Sequence, residues 1–295
     1  MSYTKSQLWI MASRPKTLPA AVSPVIVGTA FAIYYHTFKF LPALAALIGA
    51  LLLQVAANLS NDYYDHKKGA DTEDRLGPTR VAASGLMSTE ELFKGLMVVI
   101  FVSVLNGLYL IWEAGVVVLI IGVASIISMM AYSGFSIAYG YKGLGDIFVF
   151  VFFGLVAVGG TYYVQARDYN NSVLIGSIPA GCLITAILVV NNYRDLESDS
   201  KTGKKTLAVL MGKKLTQYYY LILLIVVPYM VTIILFIRGY GFAIFLPVLV
   251  SFKAVPIVKE IFSGEIGPSL NKTLAKTAQF GLLFNFLLSL GILLS

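Results

Sequence analysis

The stretch LPALAALIGALLLQVAANLSNDYYD, residues 41–65, makes two demands at once. Residues 41–59 form an apolar run of the length that crosses a bilayer as a helix, roughly 17–25 residues. The run then meets Asn58, Asp62 and Asp65. Their i, i+4, i+7 spacing puts all three on one face of a helix. Like charges so placed repel. A carboxylate at the hydrocarbon also costs about 2.5–3.5 kcal/mol on insertion scales. A bilayer-spanning helix that ends in a carboxylate face needs a counter-charge.

The rest of the chain repeats the apolar theme. Its 295 residues have a mean hydropathy of +0.80 and only 13% charged residues. A soluble domain carries about 25%. Nine apolar runs are long enough to span, at 17–35, 41–59, 92–112, 115–133, 145–165, 172–192, 216–237, 241–258 and 278–295. The eighth is the weakest, because Lys253 and Pro256 interrupt its end. The first follows Arg14, Pro15 and Lys16 without a small-residue cleavage site, so it reads as a span and not as a cleaved leader. Cys182 is the only cysteine, which excludes an intramolecular disulfide, and its apolar setting reads as packing.

The net charge of +7 is distributed by topology. With nine spans, 19 of the 22 basic residues fall on the side of the N-terminus, leaving Lys39, Arg167 and Arg238 on the other. The positive-inside rule then predicts N-in and C-out. The basic residues sit in membrane-side loops, so nucleic acid is not implied as a partner. Two inner connections are long and polar, at about 60–91 and 193–215, and long loops on a compact bundle tend to carry function.

The second of these loops restates the first. Asn191, Asp195 and Asp199 stand at i, i+4 and i+8, again one helical face. The segment DHKKGADT from Asp65 and the segment DSKTGKKT from Asp199 share the pattern D-x-x-x-G-x-x-T, and Asn58 and Asn192 each precede their aspartate by seven residues. Four unpaired carboxylates at the membrane edge would cost on the order of 10 kcal/mol. A cation is the natural remedy. Carboxylate and amide oxygens are hard ligands that suit Mg²⁺, which takes one or two carboxylates and completes its shell with water and phosphate oxygens. Nearby lysines and arginines would hold the remaining phosphate oxygens, so the pattern predicts a diphosphate gripped through Mg²⁺. A solvated loop with self-paired charges is the competing reading. Glu73, Asp74, Glu197, Lys201 and His66 read as surface residues.

At these residues the chain resembles a known family. NLSNDYYDHKKGADTEDRLGPTR (58–80) and NNYRDLESDSKTGKKTLAVLMG (191–212) are similar to the two aspartate-rich signatures of UbiA-type intramembrane prenyltransferases. RPKTLPAAVSPVIVGTA (14–30) and YKGLGDIFVFVFFGLVAVGGTYYVQ (141–165) resemble the branch that acts on 1,4-dihydroxy-2-naphthoate in menaquinone synthesis. RLGPTR and GKKTLAV favour that branch over the hydroxybenzoate, haem O and chlorophyll branches. One departure concerns the aromatic-acceptor pocket: Gly134, Phe135 and Ser136 stand where the branch has Gly-Gly-Pro.

The resemblance implies an all-α integral membrane fold, a single domain over 1–295 with nine transmembrane helices around a central cavity, capped by the two long cytoplasmic loops. It implies a multi-pass enzyme of the bacterial cytoplasmic membrane that moves a polyprenyl group from its diphosphate to 1,4-dihydroxy-2-naphthoate, with loss of carbon dioxide. Mg²⁺ would sit at Asn58, Asp62, Asp65, Asp195 and Asp199, with Asn191 or Asn192 as a further ligand. Arg75, Arg80, Lys204 and Lys205 are the candidates for the diphosphate, Arg80 and Lys204 foremost; lipid headgroups are the alternative role for each. Tyr139 and Lys142 occupy the inner mouth, where related families place a tyrosine and a lysine. Tyr63, Tyr132 and Tyr139 could face a carbocation through their rings, or simply belong to the interfacial tyrosine belt. Asp146 either orients the acceptor hydroxyl or pairs with Lys142. Breaks at Pro24, Pro228 and Pro247 could shape a lateral opening, or be ordinary kinks.

Other readings compete. The same chemistry on hydroxybenzoate or homogentisate is the main rival. The D-G-x-x-A-R element of phosphatidyl-alcohol transferases is absent from the sequence. A cation transporter would place acids at mid-depth, whereas these cluster at one face.

Overall fold

The computed structural model describes residues 3–69, 76–77 and 80–295. Among them the secondary structure is entirely helical, and nine helical spans are long and apolar enough to cross a membrane. Span 1 covers Lys5–Tyr34, span 2 Phe40–Lys67, span 3 Thr89–Ala114, span 4 Val116–Ser133 and span 5 Gly145–Ala166. Span 6 covers Asn171–Arg194, span 7 Leu207–Ile237, span 8 Phe242–Phe262 and span 9 Leu270–Leu293. Large apolar side chains such as Trp112, Ile237 and Phe242 stand more than three-quarters exposed, which water would not tolerate in such numbers but lipid would.

Span 6 is the axis of the second half. It is buried over 72% of its apolar stretch, against 11% for span 3. Phe280 and Phe284 of span 9, Leu224 of span 7 and Phe31 of span 1 belong with it to one continuous core. Span 5 reaches span 6 through a close backbone approach. A Cβ on Gly154 would stand 2.9 Å from the Cα of Gly181, so neither helix can carry a larger residue there. Gly154 lies within a π-helical segment, Phe150–Val156. Phe150 packs on Gly181, whereas Phe152 and Phe153 line a cavity on the other side.

The spans run past their apolar runs, and this matters for the site. Span 2 continues as helix to Lys67, so Asp62 and Asp65 are helical residues and not loop residues. It stops because Gly69 adopts φ +65°, the left-handed conformation that ends helices. The short helix Leu196–Lys201, which carries Asp199, stops the same way at Gly203, φ +77°. The glycine of the repeated D-x-x-x-G pattern therefore closes the helix that carries each acid. Span 7 begins earlier than its apolar run, capped by Thr206, whose hydroxyl accepts from the amide of Val209 at 3.4 Å.

The weak eighth run is a span, but an unusual one. It starts as a 3-10 segment, Phe242–Lys253, with Pro247 inside, and becomes α-helical over Ala254–Phe262. In span 7 the π segment Ile222–Val226 immediately precedes Pro228, which cannot donate an amide hydrogen bond. None of Pro24, Pro228 and Pro247 lines the large cavity, although Ala21 and Val25, on either side of Pro24, do. Of the three basic residues on the rim opposite the acids, Lys39 and Arg167 both reach Glu113, at 2.9 and 3.5 Å, and Arg238 donates to Ser172 at 3.0 Å.

Candidate active site

The ends of spans 2 and 6 meet at one rim. Asp65 is buried and accepts a hydrogen bond from the Tyr141 hydroxyl at 2.5 Å. Its other oxygen pairs with Arg80 at 2.5 Å. The Lys204 ammonium lies 4.8 Å from the centroid of the same Tyr141 ring and 3.6 Å from Asp199. The backbone amide of Lys205 donates to the Tyr141 carbonyl at 2.9 Å. Tyr141 thus stands between the two acidic segments and touches both. Burial pushes the Asp199 carboxyl up to about 6, with the neighbouring Lys204 pulling it down and Asp195 adding to the rise.

The other acids are engaged differently. Asp62 is fully buried and accepts from the amides of Val81 at 3.1 Å and Ala82 at 3.4 Å, so it anchors the strap between spans 2 and 3. Arg14 and Arg80 lie within electrostatic range of it. The amide of Asn58 donates to the Ser13 carbonyl and to Thr17, both at 2.9 Å, which ties the first helix to span 2. Asp195 is held in a fork by Arg194, at 2.8 and 2.5 Å. Arg194 is 1% exposed and also donates to Asn191 at 2.9 Å and to Asn271 at 2.8 Å. Asn271 in turn donates to the Leu76 carbonyl, joining span 9 to the first long loop. Asn192 is buried on the same helix.

Tyr132 and Tyr139 line the cavity described below, their rings 5.5 Å apart and edge to face. The Tyr139 hydroxyl donates to the Ser128 carbonyl at 2.9 Å, and its ring stacks on Phe148 at 4.0 Å. Burial raises its phenol above the usual range. Tyr63 turns elsewhere, packing on Tyr64 and Phe93. Lys142 and Lys205 have exposed side chains, and Asp146 is buried in the first turn of span 5 without an ion pair to Lys142 among the described residues. Arg75 lies outside the described residues. The divergent Gly134-Phe135-Ser136 segment sits at the rim. Phe135 is half exposed, and its carbonyl accepts from Lys68 at 3.0 Å.

A cavity of about 500 Å³ runs from this rim into the bundle. Asn58, Asn61 and Tyr132 line its end at the rim; the remainder comes from spans 1 to 5 and is mainly apolar, interspersed with Gln54, Ser103, Asn106, Ser125, Ser128 and Thr161. Val104, Leu108, Leu119 and Val123 line it and are themselves exposed, so it is open along spans 3 and 4. No group of three His, Cys, Asp or Glu side chains among the described residues forms a ready metal cage. Mg²⁺ usually takes only one or two carboxylates and completes its shell with water and ligand oxygens.

The profile of the UbiA prenyltransferase family matches residues 21–264. The chain belongs to the UbiA prenyltransferase family. It is 36% identical to a 1,4-dihydroxy-2-naphthoate octaprenyltransferase of Haemophilus influenzae, over 98% of this chain and 97% of the relative. It is 38% identical to the octaprenyltransferase of the same description from Escherichia coli, over 99% and 97%, and 32% identical to that of Bacillus subtilis, over 98% and 92%. Its fold is similar to that of a UbiA homologue from Archaeoglobus fulgidus solved with GPP and Mg²⁺. The TM-score is 0.68 at 15% identity, over 98% of this chain and 100% of that one. The protein is a membrane prenyltransferase.

Three residues of this prenyltransferase's rim were not singled out from sequence. The sequence reading names Tyr139, and no spacing rule separates it from Tyr141 in one short turn. Arg194 reads from sequence as one of the basic residues set by topology; its position directly before Asp195 is the signal that marks it. Lys68 donates to the Ser133 carbonyl at 2.6 Å, closing the end of span 4, and burial lowers its ammonium below the usual lysine range.

Proposed function

We propose that this enzyme transfers a polyprenyl group from its diphosphate to 1,4-dihydroxy-2-naphthoate, in menaquinone synthesis, with Mg²⁺ as cofactor. The acidic rim is assigned to the cytoplasmic side of the bacterial inner membrane, in line with its excess of basic residues. The observation that carries the reading is the contact chain Asp65–Tyr141–Lys204–Asp199, which joins two carboxylates remote in sequence.

Asp62, Asp65, Asp195 and Asp199, with Asn58, Asn191 and Asn192 at the same helix ends, supply the hard oxygens that would hold the metal. When bound, Mg²⁺ would stabilise charge on the departing diphosphate. Arg80 and Lys204 neutralise Asp65 and Asp199. Once those carboxylates have another counter-charge, both cations become available to diphosphate oxygens, as does Lys205; Arg75 is assigned the same role from its sequence position. The allylic C–O bond breaks with its electron pair going to the diphosphate. The ring carbon bearing the carboxyl group then bonds to the prenyl carbon, and carbon dioxide leaves with restoration of the ring. Tyr132 and Tyr139 present π-faces to the allylic cation and keep water away, since both rings line the cavity. Tyr63 faces Phe93 and is assigned to packing. Lys142 is assigned to the membrane surface, and Asp146 to orienting the acceptor hydroxyl.

The test is product formation by purified protein with Mg²⁺, octaprenyl diphosphate and each ring acid in turn. Release of labelled carboxyl carbon with the naphthoate, abolished by EDTA, is the expected result. Product with hydroxybenzoate alone would refute the acceptor assignment.

A further inference from the structure

Glycines inside the spans differ in what surrounds them. At Gly154, Gly176 and Gly181 an added Cβ would come within 3 Å of a neighbour, so tight packing accounts for the missing side chain. At Gly107 and Gly122 nothing lies within 4 Å of that position, and at Gly160 the nearest atom is 4.0 Å away. None of these three has the left-handed backbone that would require glycine. Each costs its helix about 1 kcal/mol relative to alanine, without a packing or conformational reason. All three line the large cavity.

They also lie at one level. Gly107 precedes the end of span 3 at Ala114 by seven residues, about 10 Å of helix. Gly122 follows the start of span 4 at Val116 by six residues, and Gly160 precedes the end of span 5 at Ala166 by six, about 9 Å each. Gly49 of span 2 joins this level, because its Cβ position is 3.0 Å from Asn106, the neighbour of Gly107. Gly49 is thirteen residues from Asp62, about 20 Å along the helix. The cavity therefore has polar side chains at the acidic rim and a collar of absent side chains about 20 Å deeper.

We propose that Gly107, Gly122 and Gly160 are specificity-determining residues that keep the passage open for the distal part of a long prenyl tail. This rests on the prenyl-donor reading above. A diphosphate head with a hydrocarbon tail matches a cavity that meets the acidic rim at one end and is mainly apolar beyond it, with Asn106 at the level of the collar. A ten-carbon geranyl tail spans eight main-chain bonds from the ester oxygen, at most about 12 Å at about 1.5 Å each, and ends short of the collar. An octaprenyl tail is long enough to reach it, at the level where Leu108 and Val123 open the cavity along spans 3 and 4. A side chain at any of the three positions would obstruct long donors selectively.

The experiment uses the full-length protein in lipid nanodiscs with Mg²⁺ and 1,4-dihydroxy-2-naphthoate. Gly107→Leu and Gly122→Leu are compared with wild type on geranyl and octaprenyl diphosphate, and an Ala, Val, Leu series at each site guards against a single variant that fails to fold. The ratio of kcat/KM for the long donor over the short one should fall stepwise with side-chain size. It should reach at least about tenfold for Leu, the lower end of what one methylene decides in an apolar pocket. An unchanged ratio in folded variants, or a parallel fall for both donors, would overturn the collar. Wild-type protein that transfers neither donor would instead overturn the prenyl-donor reading, and the collar with it.

Discussion

Replacing Tyr141 by phenylalanine removes one oxygen from the centre of the rim. That oxygen donates to Asp65 at 2.5 Å, and Asp65 has a 5% exposed side chain, so water cannot substitute. A hydrogen bond to a buried charged group contributes about 1.5–3 kcal/mol. The phenylalanine ring keeps the platform that Lys204 approaches at 4.8 Å. If the hydroxyl orients Asp65 during turnover, the whole loss appears as kcat/KM for the donor, a fall of about 10- to 150-fold at 1.36 kcal/mol per decade. Tyr141→Leu removes the platform as well, and costs about a further 0.5–2 kcal/mol. The assay is steady-state prenyl transfer over a range of donor and Mg²⁺ concentrations, with thermal unfolding recorded in parallel. Wild-type kcat/KM and wild-type Mg²⁺ dependence in Tyr141→Phe would refute the claim that this hydroxyl positions Asp65.

Two further outcomes follow from the same rim. Arg194→Met strands Asp195 and leaves Asn191 and Asn271 without their shared donor; a broken buried pair costs about 3–5 kcal/mol. The apparent unfolding midpoint should drop by on the order of 10 °C, and an unchanged midpoint would show the fork to be idle. Asp199 has a raised carboxyl, about 6 in the folded protein against about 3.8 unfolded. Keeping it ionised therefore costs stability, a cost absent below pH 4 and fully present above pH 6. Mg²⁺ binding needs the ionised form, so calorimetry at pH 6 in buffers of different ionisation enthalpy should detect proton release on binding. Asp199→Asn should lose that release.

Much of the fold was legible because crossing a bilayer imposes a length and a polarity that few soluble segments share. The ends of the spans were less so. Apolar runs stop where lipid stops, whereas helices stop where the backbone turns, at Gly69 and Gly203. Hence span 2 carries Asp62 and Asp65 as helical residues, and spans 7 and 9 begin before their apolar runs. The two acidic segments were readable from their spacing and from the repeated glycine, but the second is not one helical face: the helix breaks at Asp195, and Asp199 stands on the separate short helix Leu196–Lys201. Which tyrosine serves them was not. Ala138 takes a left-handed φ of 32° before the turn Tyr139–Tyr141, which sends Tyr139 to Ser128 and Tyr141 to Asp65. Sequence periodicity carries no information about such a turn. The strap role of Asp62 was hidden for a related reason, since its partners Val81 and Ala82 offer only backbone amides.

The central claim is that one metal-bound diphosphate is held jointly by the ends of span 2 and span 6. Its most direct test is Mn²⁺ binding, followed by electron paramagnetic resonance, in the presence of a non-reactive allylic thiodiphosphate. Wild type is compared with Asp65→Asn, Asp199→Asn and the double variant. If both helix ends hold the same complex, each single substitution weakens binding strongly, and the double variant loses little more than either. If Asp199→Asn binds like wild type while Asp65→Asn does not, the second segment takes no part and the account is wrong.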